Sequence, residues 1–213
     1  AGTVAAVDDG SGVVGVAPEA QLYALKVLNS SGSGSWSDII AALEWAVDNG
    51  TQVTNNSYGS GANPGSIVQA AYDNSAAAGI VHVASAGNSG NKPGRGDNVE
   101  WPANYASVIA VAATDSKDKR ARFSSTGSSV ELAAPGVAIR STVPGGGYEA
   151  WNGTSMAPPH VAGTAALMIP AGVTDVRGVL RSTADDLGDG GRDTKYGYGL
   201  VDADEAAGAP PPP

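Results

Sequence analysis

Ser155 is the residue whose surroundings in the sequence best suit nucleophilic chemistry. It lies in Asn152-Gly-Thr-Ser-Met-Ala-Pro-Pro-His-Val-Ala-Gly163, a run of small residues that leads into an apolar segment ending at Ile169. That segment is predicted to be a helix starting at Ser155. Gly153 permits a backbone conformation closed to other residues. Pro158 and Pro159 suit the first helical turn, where N–H groups have no intrahelical partner. A hydroxyl at such a start sits among free backbone N–H donors and at the positive end of the helix dipole. Both stabilise negative charge developing beside it, as a nucleophilic serine requires. The same residues also suit an ordinary N-cap made by Thr154 or Ser155.

A second candidate is Asn88. Val81-His-Val-Ala-Ser-Ala-Gly-Asn88 reads as a buried strand that delivers this Asn onto a loop rich in Gly and Asn. Taken alone, it is an ordinary turn residue. The chain has two histidines. His160 follows Ser155 by five positions, about 140° around a continuous helix, and is poorly placed as its base. His82 lies within the strand and reads as a packed, hydrogen-bonded core residue. Gly10-Ser-Gly-Val-Val-Gly15 spells a dinucleotide fingerprint, but Ala17-Pro18 follows where a helix should open, so that reading fails.

The longer string Gly-Thr-Ser-Met-Ala-x-Pro-His-Val-Ala-Gly, with Pro158 at its variable position, resembles the nucleophile motif of the subtilisin-like serine proteases (subtilases). The resemblance runs from Ala1 to about Ala207. It implies that Ser155 is the nucleophile, with its own N–H as one oxyanion donor and the Asn88 side-chain amide as another. It also implies a cleft for extended polypeptide substrates. Ser57, Tyr58 and Gly59 would form one edge, and Gly32 and Gly34 the other. Ala84, Ser85, Ala86 and Gly87 would wall the pocket for the residue before the scissile bond. Trp36 would line a more distant pocket, with a half-buried helix aromatic as the alternative. Glu100, in Asp97-Asn-Val-Glu-Trp-Pro-Ala-Asn-Tyr105, would face a substrate side chain and favour Lys or Arg; a solvated loop carboxylate is the alternative. Calcium is implied at Asp9 with the carbonyls of Val7, Ser11 and Val13, an oxygen set suited to a hard cation. That site is expected to be incomplete in this chain. A weaker cation site is implied at the carbonyls of Ala103, Tyr105 and Val108.

Ala1-Gly-Thr-Val-Ala-Ala resembles the tail of the family's histidine motif. The resemblance therefore places the catalytic His and Asp, and a central strand, upstream of residue 1. The expectation is a fragment with little or no proteolysis by itself, and an open gap in the sheet. The alternative is a peptide-binding pseudoprotease that keeps the cleft without the triad.

The elements that must position these residues are legible as an alternation. Strands are predicted at Gln21–Leu28, Val53–Asn56, Ile80–Ala84, Ser107–Ala113 and Ser129–Ala134. Helices are predicted at Ser35–Asn49, from a capping box at Ser66 to near Gly79, and at Asp175–Thr183. Val4–Pro18 reads as a turn-rich loop. This order argues an α/β fold of three layers, a mostly parallel sheet with helices on both faces and its N-terminal part missing. Residues 1–207 read as one partial catalytic domain, and 208–213 as a disordered Pro-rich tail. The 213 residues carry a net charge of −9, which argues against nucleic-acid binding. No stretch suits a membrane span. With no cysteine, disulfides, thiolate metal sites and cysteine nucleophiles are excluded. The family implies a secreted enzyme that is a monomer when full length.

Overall fold

In the computed structural model, which describes residues 1–208, short apolar runs alternate with amphipathic segments to build a parallel sheet. In chain order the elements are α1 (Gly2–Ala5), α2 (Trp36–Asp48), β1 (Val53–Asn56), α3 (Ser66–Ala77), β2 (Val81–Ser85), β3 (Val108–Thr114) and β4 (Val130–Pro135). An antiparallel pair follows, β5 (Ile139–Val143) with β6 (Gly147–Trp151). A 3-10 turn at Thr154–Met156 then leads into α4 (Pro158–Met168), α5 (Val176–Ser182) and α6 (Ala203–Gly208). The main sheet has the order β1-β2-β3-β4, every pair parallel.

Side chains of a strand point alternately to its two faces, and both faces here are covered. Val83, Ile109, Val111 and Leu132 pack against Val161, Ala165 and Met168 of α4, Leu180 of α5 and Ala206 of α6. On the other face Ala84, Ala110 and Ala112 meet Ile39 and Leu43 of α2 and Val68 and Tyr72 of α3. Each of those two helices buries one stripe, Ile39, Leu43 and Ala46 in α2 and Val68, Tyr72 and Ser75 in α3, at the spacing of a single helical face. α4 is buried nearly all round, as a helix enclosed by the molecule must be. The three-layer α/β architecture expected from the sequence is present.

Several boundaries differ from the sequence reading. Gln21–Leu28 forms no regular element and takes part in no backbone–backbone hydrogen bond among the described residues, so the predicted strand does not form. Extended backbone becomes a strand only against a hydrogen-bonding neighbour. Leu22 and Tyr23 remain more than half exposed, although the Tyr23 ring lies 5.5 Å from that of Trp45 on α2. The N-cap of α3 is Gly65, not Ser66, and no side chain caps it. α5 begins at Val176, capped by Asp175, whose carboxylate accepts from Gly178 N–H. The predicted helix from Ser155 is instead a 3-10 turn followed by α4, which opens with Pro158 and Pro159. The β5–β6 hairpin and the short α1 and α6 were not anticipated. Gly145 and Gly146 supply the two positive φ angles, 92° and 86°, that the hairpin turn needs. Gly208 belongs to α6 rather than to a disordered tail, and residues 209–213 lie outside the described residues.

Candidate active site

Ser155 sits in the 3-10 turn beneath the C-terminal ends of the parallel strands, partly buried. Gly153 precedes it at φ 155° and ψ 156°, a region open essentially to glycine alone. The Ser155 hydroxyl donates to the carbonyl of Ser57 at 3.2 Å, and the Ser57 hydroxyl donates to the carbonyl of Ser155 at 2.8 Å. This reciprocal pair ties the turn to the segment that leaves β1. Because Pro158 and Pro159 have no N–H, the start of α4 offers few donors. The Ser155 N–H makes no backbone hydrogen bond among the described residues. The sequence reading placed Ser155 among several free helical N–H groups; the two prolines leave chiefly its own.

Asn88 follows β2 and supplies what the helix start lacks. Its side-chain oxygen accepts from the Thr154 N–H at 2.9 Å and from the Thr154 hydroxyl at 3.0 Å. With the oxygen held twice, the orientation of the carboxamide is fixed. Its NH₂ group donates to no protein acceptor among the described residues. Thr154 is fully buried. The sequence reading treated Thr154 only as a possible cap, because nothing in the chain order reveals a bond between residues 66 apart.

The expected cleft residues fall into two groups. Ser57, Tyr58 and Gly59 continue from β1, and Ala84 to Gly87 from β2, so adjacent parallel strands bring them together beside Ser155. Glu100 reaches between them. A Cβ on Gly59 would lie 2.6 Å from Glu100 Oε2, and one on Gly87 would lie 2.6 Å from Glu100 Cδ, so only glycine leaves room for this carboxyl group. The Ser89 hydroxyl donates to Glu100 Oε1 at 3.1 Å. Main-chain bonds from Glu100 N to Ala86 O and between Ser60 and Trp101 fix the loop that carries it. Gly32, Gly34 and Trp36 form the other group. No hydrogen bond joins them to the Ser155 turn. A Cβ on Gly34 would lie 2.0 Å from the carbonyl oxygen of Val27, and half-buried Trp36 packs with Val27, Ile40 and Tyr58 against the α2–α3 core.

Behind Tyr58 lies a buried polar chain that sequence reading missed. Tyr58 and Tyr72 hydroxyls both reach Asn56 Oδ1, at 2.7 and 3.2 Å. Asn56 Nδ2 donates to the Thr54 hydroxyl, which meets His82 Nδ1 at 2.7 Å; His82 Nε2 meets the Ser75 hydroxyl at 2.8 Å. Burial pushes the His82 pKa down to about 4 and the Tyr58 pKa up to about 12. His82 is therefore the satisfied core histidine that the sequence suggested. His160 Nδ1 lies 3.0 Å from the Met156 carbonyl, and burial lowers its pKa as well. Neither imidazole hydrogen-bonds the Ser155 hydroxyl.

Val7, Asp9, Ser11 and Val13 line one depression next to α1. The carbonyls of Val7, Ser11 and Val13 accept no backbone hydrogen bond, so three oxygens and one carboxylate suit a hard cation there. Asp9 is already partly committed: Ser11 Oγ and N donate to Oδ1 at 2.8 and 3.0 Å, and these bonds lower its pKa. No cluster of three or more acidic, His or Cys side chains with metal-binding spacing exists among the described residues. The carbonyls of the expected weaker cation site are partly engaged by the protein itself. The Arg177 guanidinium donates to the carbonyls of Ala106 at 2.8 Å and Val108 at 3.4 Å, and Tyr105 O accepts from Val108 N. A positive charge thus meets one of the three expected carbonyls, Val108 O, and a main-chain bond takes Tyr105 O, leaving Ala103 O unengaged by these bonds. The same guanidinium pairs with buried Glu131, as does Arg181 at 2.9 Å. Burial works to raise the Glu131 pKa, but the two arginines outweigh it and hold the carboxyl below its ordinary value.

Comparison with known proteins agrees with this geometry. Residues 1–199 match the Subtilase family. Subtilisin DY of Bacillus licheniformis is 50% identical over 211 residues, 97% of this chain and 75% of that protein. Subtilisin E of Bacillus subtilis (strain 168) is 48% identical over 211 residues, 97% of this chain and 54% of its own length. Alkaline elastase YaB of Bacillus sp. (strain YaB) is 46% identical over 210 residues, again 97% of this chain but 53% of that protein. The chain thus spans about half to three quarters of these relatives. With that identity across nearly all of its length, and with a subtilase match over residues 1–199, the chain belongs to the subtilase family of serine endopeptidases.

Proposed function

We propose that Ser155 is the nucleophile in peptide-bond hydrolysis through an acyl-enzyme. The Ser155 Oγ attacks the carbonyl carbon of an extended polypeptide while a general base takes its proton. The carbonyl oxygen, now an oxyanion, accepts from the Ser155 N–H and the Asn88 amide. Collapse of this intermediate expels the amine, which receives the proton from the base, and water then hydrolyses the ester. The observation that carries the reading is the doubly held Asn88 oxygen, which leaves the amide donor fixed and unspent next to Ser155. The substrate main chain pairs with Ser57–Gly59 as an added strand, so binding depends on extended shape more than on sequence.

The base comes from outside these 213 residues, because His82 and His160 are both committed elsewhere. The polypeptide of these residues alone has little or no activity. That same observation favours the second reading, a peptide-binding pseudoprotease. Calcium is held, when bound, by Asp9 and the carbonyls of Val7, Ser11 and Val13, where it steadies the loop after α1. The whole protein is secreted, acts as a monomer, and takes polypeptide rather than nucleic acid or membrane as its partner. No helix among the described residues is long and apolar enough to cross a membrane.

The test is cleavage of an internally quenched peptide by the protein carrying the residues that its gene encodes upstream of Ala1. Cleavage abolished by Ser155→Ala is expected. Cleavage unchanged in that variant contradicts the proposal, and its absence in the extended protein favours the pseudoprotease.

A further inference from the structure

Asn56 is a buried carboxamide at the end of β1 that the proposed mechanism leaves unused. It is 4% exposed, and both its donors and its acceptor are engaged. Nδ2 donates to the Thr54 hydroxyl at 2.9 Å and to the Val83 carbonyl of β2 at 3.2 Å. Oδ1 accepts from the Tyr58 hydroxyl at 2.7 Å and from the Tyr72 hydroxyl of α3 at 3.2 Å. The Thr54 hydroxyl is committed in turn to His82, and His82 to Ser75. A buried amide with four partners is held in one orientation, because rotation leaves a donor or an acceptor unpaired.

Ser57 lies between the residues that this amide joins. Register pairing of β1 with β2 ends at Asn56 and Ala84, and the segment next pairs at Ser60 with Trp101. Between these points it passes the Ser155 turn. The Ser57 hydroxyl donates to the Ser155 carbonyl, and the Ser57 carbonyl accepts from the Ser155 hydroxyl. Asn55 Nδ2 donates to the Ser57 hydroxyl at 2.9 Å, leaving the hydroxyl proton for the Ser155 carbonyl. Asn56 grips the residue after Ser57 through the Tyr58 phenol, and it grips β2 through Val83. β2 is the strand that leads to Asn88. One side chain thus sets the segment bonded to Ser155 against the strand that carries the amide donor. We propose that Asn56 is a positioning residue for the nucleophile: through Ser57 it keeps Ser155 in register with the Asn88 amide. The inference rests on the reading of Ser155 as the nucleophile. An apolar side chain of similar size fills the same space but holds neither Tyr58 nor the Val83 carbonyl. A reacting group misplaced by about 1 Å can lose about 10²-fold in rate.

The test is labelling of Ser155 by diisopropyl fluorophosphate in the protein with its encoded upstream residues, alongside peptide cleavage and thermal unfolding. The probe is small and makes no use of an extended peptide cleft, so its rate reports the nucleophile and its immediate donors. Asn56→Leu is expected to slow labelling about ten- to hundredfold. Tyr58→Phe and Tyr72→Phe each remove one bond to Oδ1 and should slow it about two- to tenfold. In peptide cleavage the loss should fall on kcat, with KM little changed. A packing role alone lowers the melting temperature and leaves labelling of the folded protein unchanged, and that result overturns the proposal. A raised KM at unchanged kcat does so as well. If Asn56→Leu does not fold, the two Phe variants decide by the same criteria. Failure of the unsubstituted protein to label at Ser155 overturns the reading of the nucleophile itself. Equal labelling of the unsubstituted protein and its variants overturns only the role of Asn56.

Discussion

In the proposed mechanism Asn88 donates to a developing oxyanion, and Thr154 orients its amide by holding the oxygen through both N–H and hydroxyl. Thr154 is therefore a positioning residue, and its contribution is separable from that of Asn88. Loss of the equivalent amide costs about 10²–10³ in turnover, a value measured in subtilisin and not calculated from this geometry. Asn88→Ala in the active protein is expected to fall in that range. Thr154→Val removes one of the two bonds and should cost about two- to tenfold in kcat with KM unchanged, in line with one neutral hydrogen bond. The double variant should be little worse than Asn88→Ala alone, because Thr154 acts through Asn88. Additive losses in steady-state kinetics would contradict that order. Locally Ser155 reads as a cap and Asn88 as a turn residue, and the family resemblance singled both out, whereas Thr154 was visible only as a helix cap. Its partner is 66 residues away, and only the fold brings it there.

At the scale of elements, α5 is anchored to the sheet by charge. Arg177 and Arg181 lie one turn apart on α5 and both reach Glu131 of β4, 46 and 50 residues away in sequence. Arg177 also ties down the Ala106 and Val108 carbonyls. Removing it leaves Glu131 with one partner and those carbonyls with fewer donors. Arg177→Ala is expected to lower stability by about 1.5–3 kcal/mol, the range for hydrogen bonds to a charged group. Urea denaturation measures it, with an unchanged midpoint as the contradicting result. The family resemblance implied a cation at the carbonyls of Ala103, Tyr105 and Val108, and nothing local in the sequence shows the guanidinium, 69 residues away, that meets the Val108 oxygen. The helices were easier to read: α2 and α3 announce themselves by one buried stripe each. Gln21–Leu28 misled because its composition is that of a strand, and composition does not supply a neighbour to bond.

Over the whole molecule, acid sensitivity draws on the two buried histidines, His82 and His160. An unfolded histidine titrates near 6.5, while burial lowers the folded value of His82 to about 4. Above the unfolded value both states are neutral and the term vanishes. As pH falls from about 6.5 to about 4, only the unfolded chain takes the proton, so stability is lost across that window and then levels off. The loss is on the order of 3 kcal/mol. His82→Gln should flatten the dependence in urea titrations at pH 7 and pH 5, and an equal slope in both proteins would contradict it. The three-layer plan of the molecule was readable from alternating strands and helices, since parallel strands buried on both faces leave continuous apolar runs. The β5–β6 hairpin was not, although Gly145-Gly146 marks its turn. The account stands most directly on the reactivity of Ser155. Fluorophosphonate labelling followed by peptide mass spectrometry, on the 213-residue chain and on the protein with its encoded upstream residues, measures it. The prediction is rapid modification of Ser155 in the extended protein and little in the shorter chain. Rapid labelling of the shorter chain that is lost in His82→Ala or His160→Ala, or an unlabelled Ser155 in the extended protein, would contradict it.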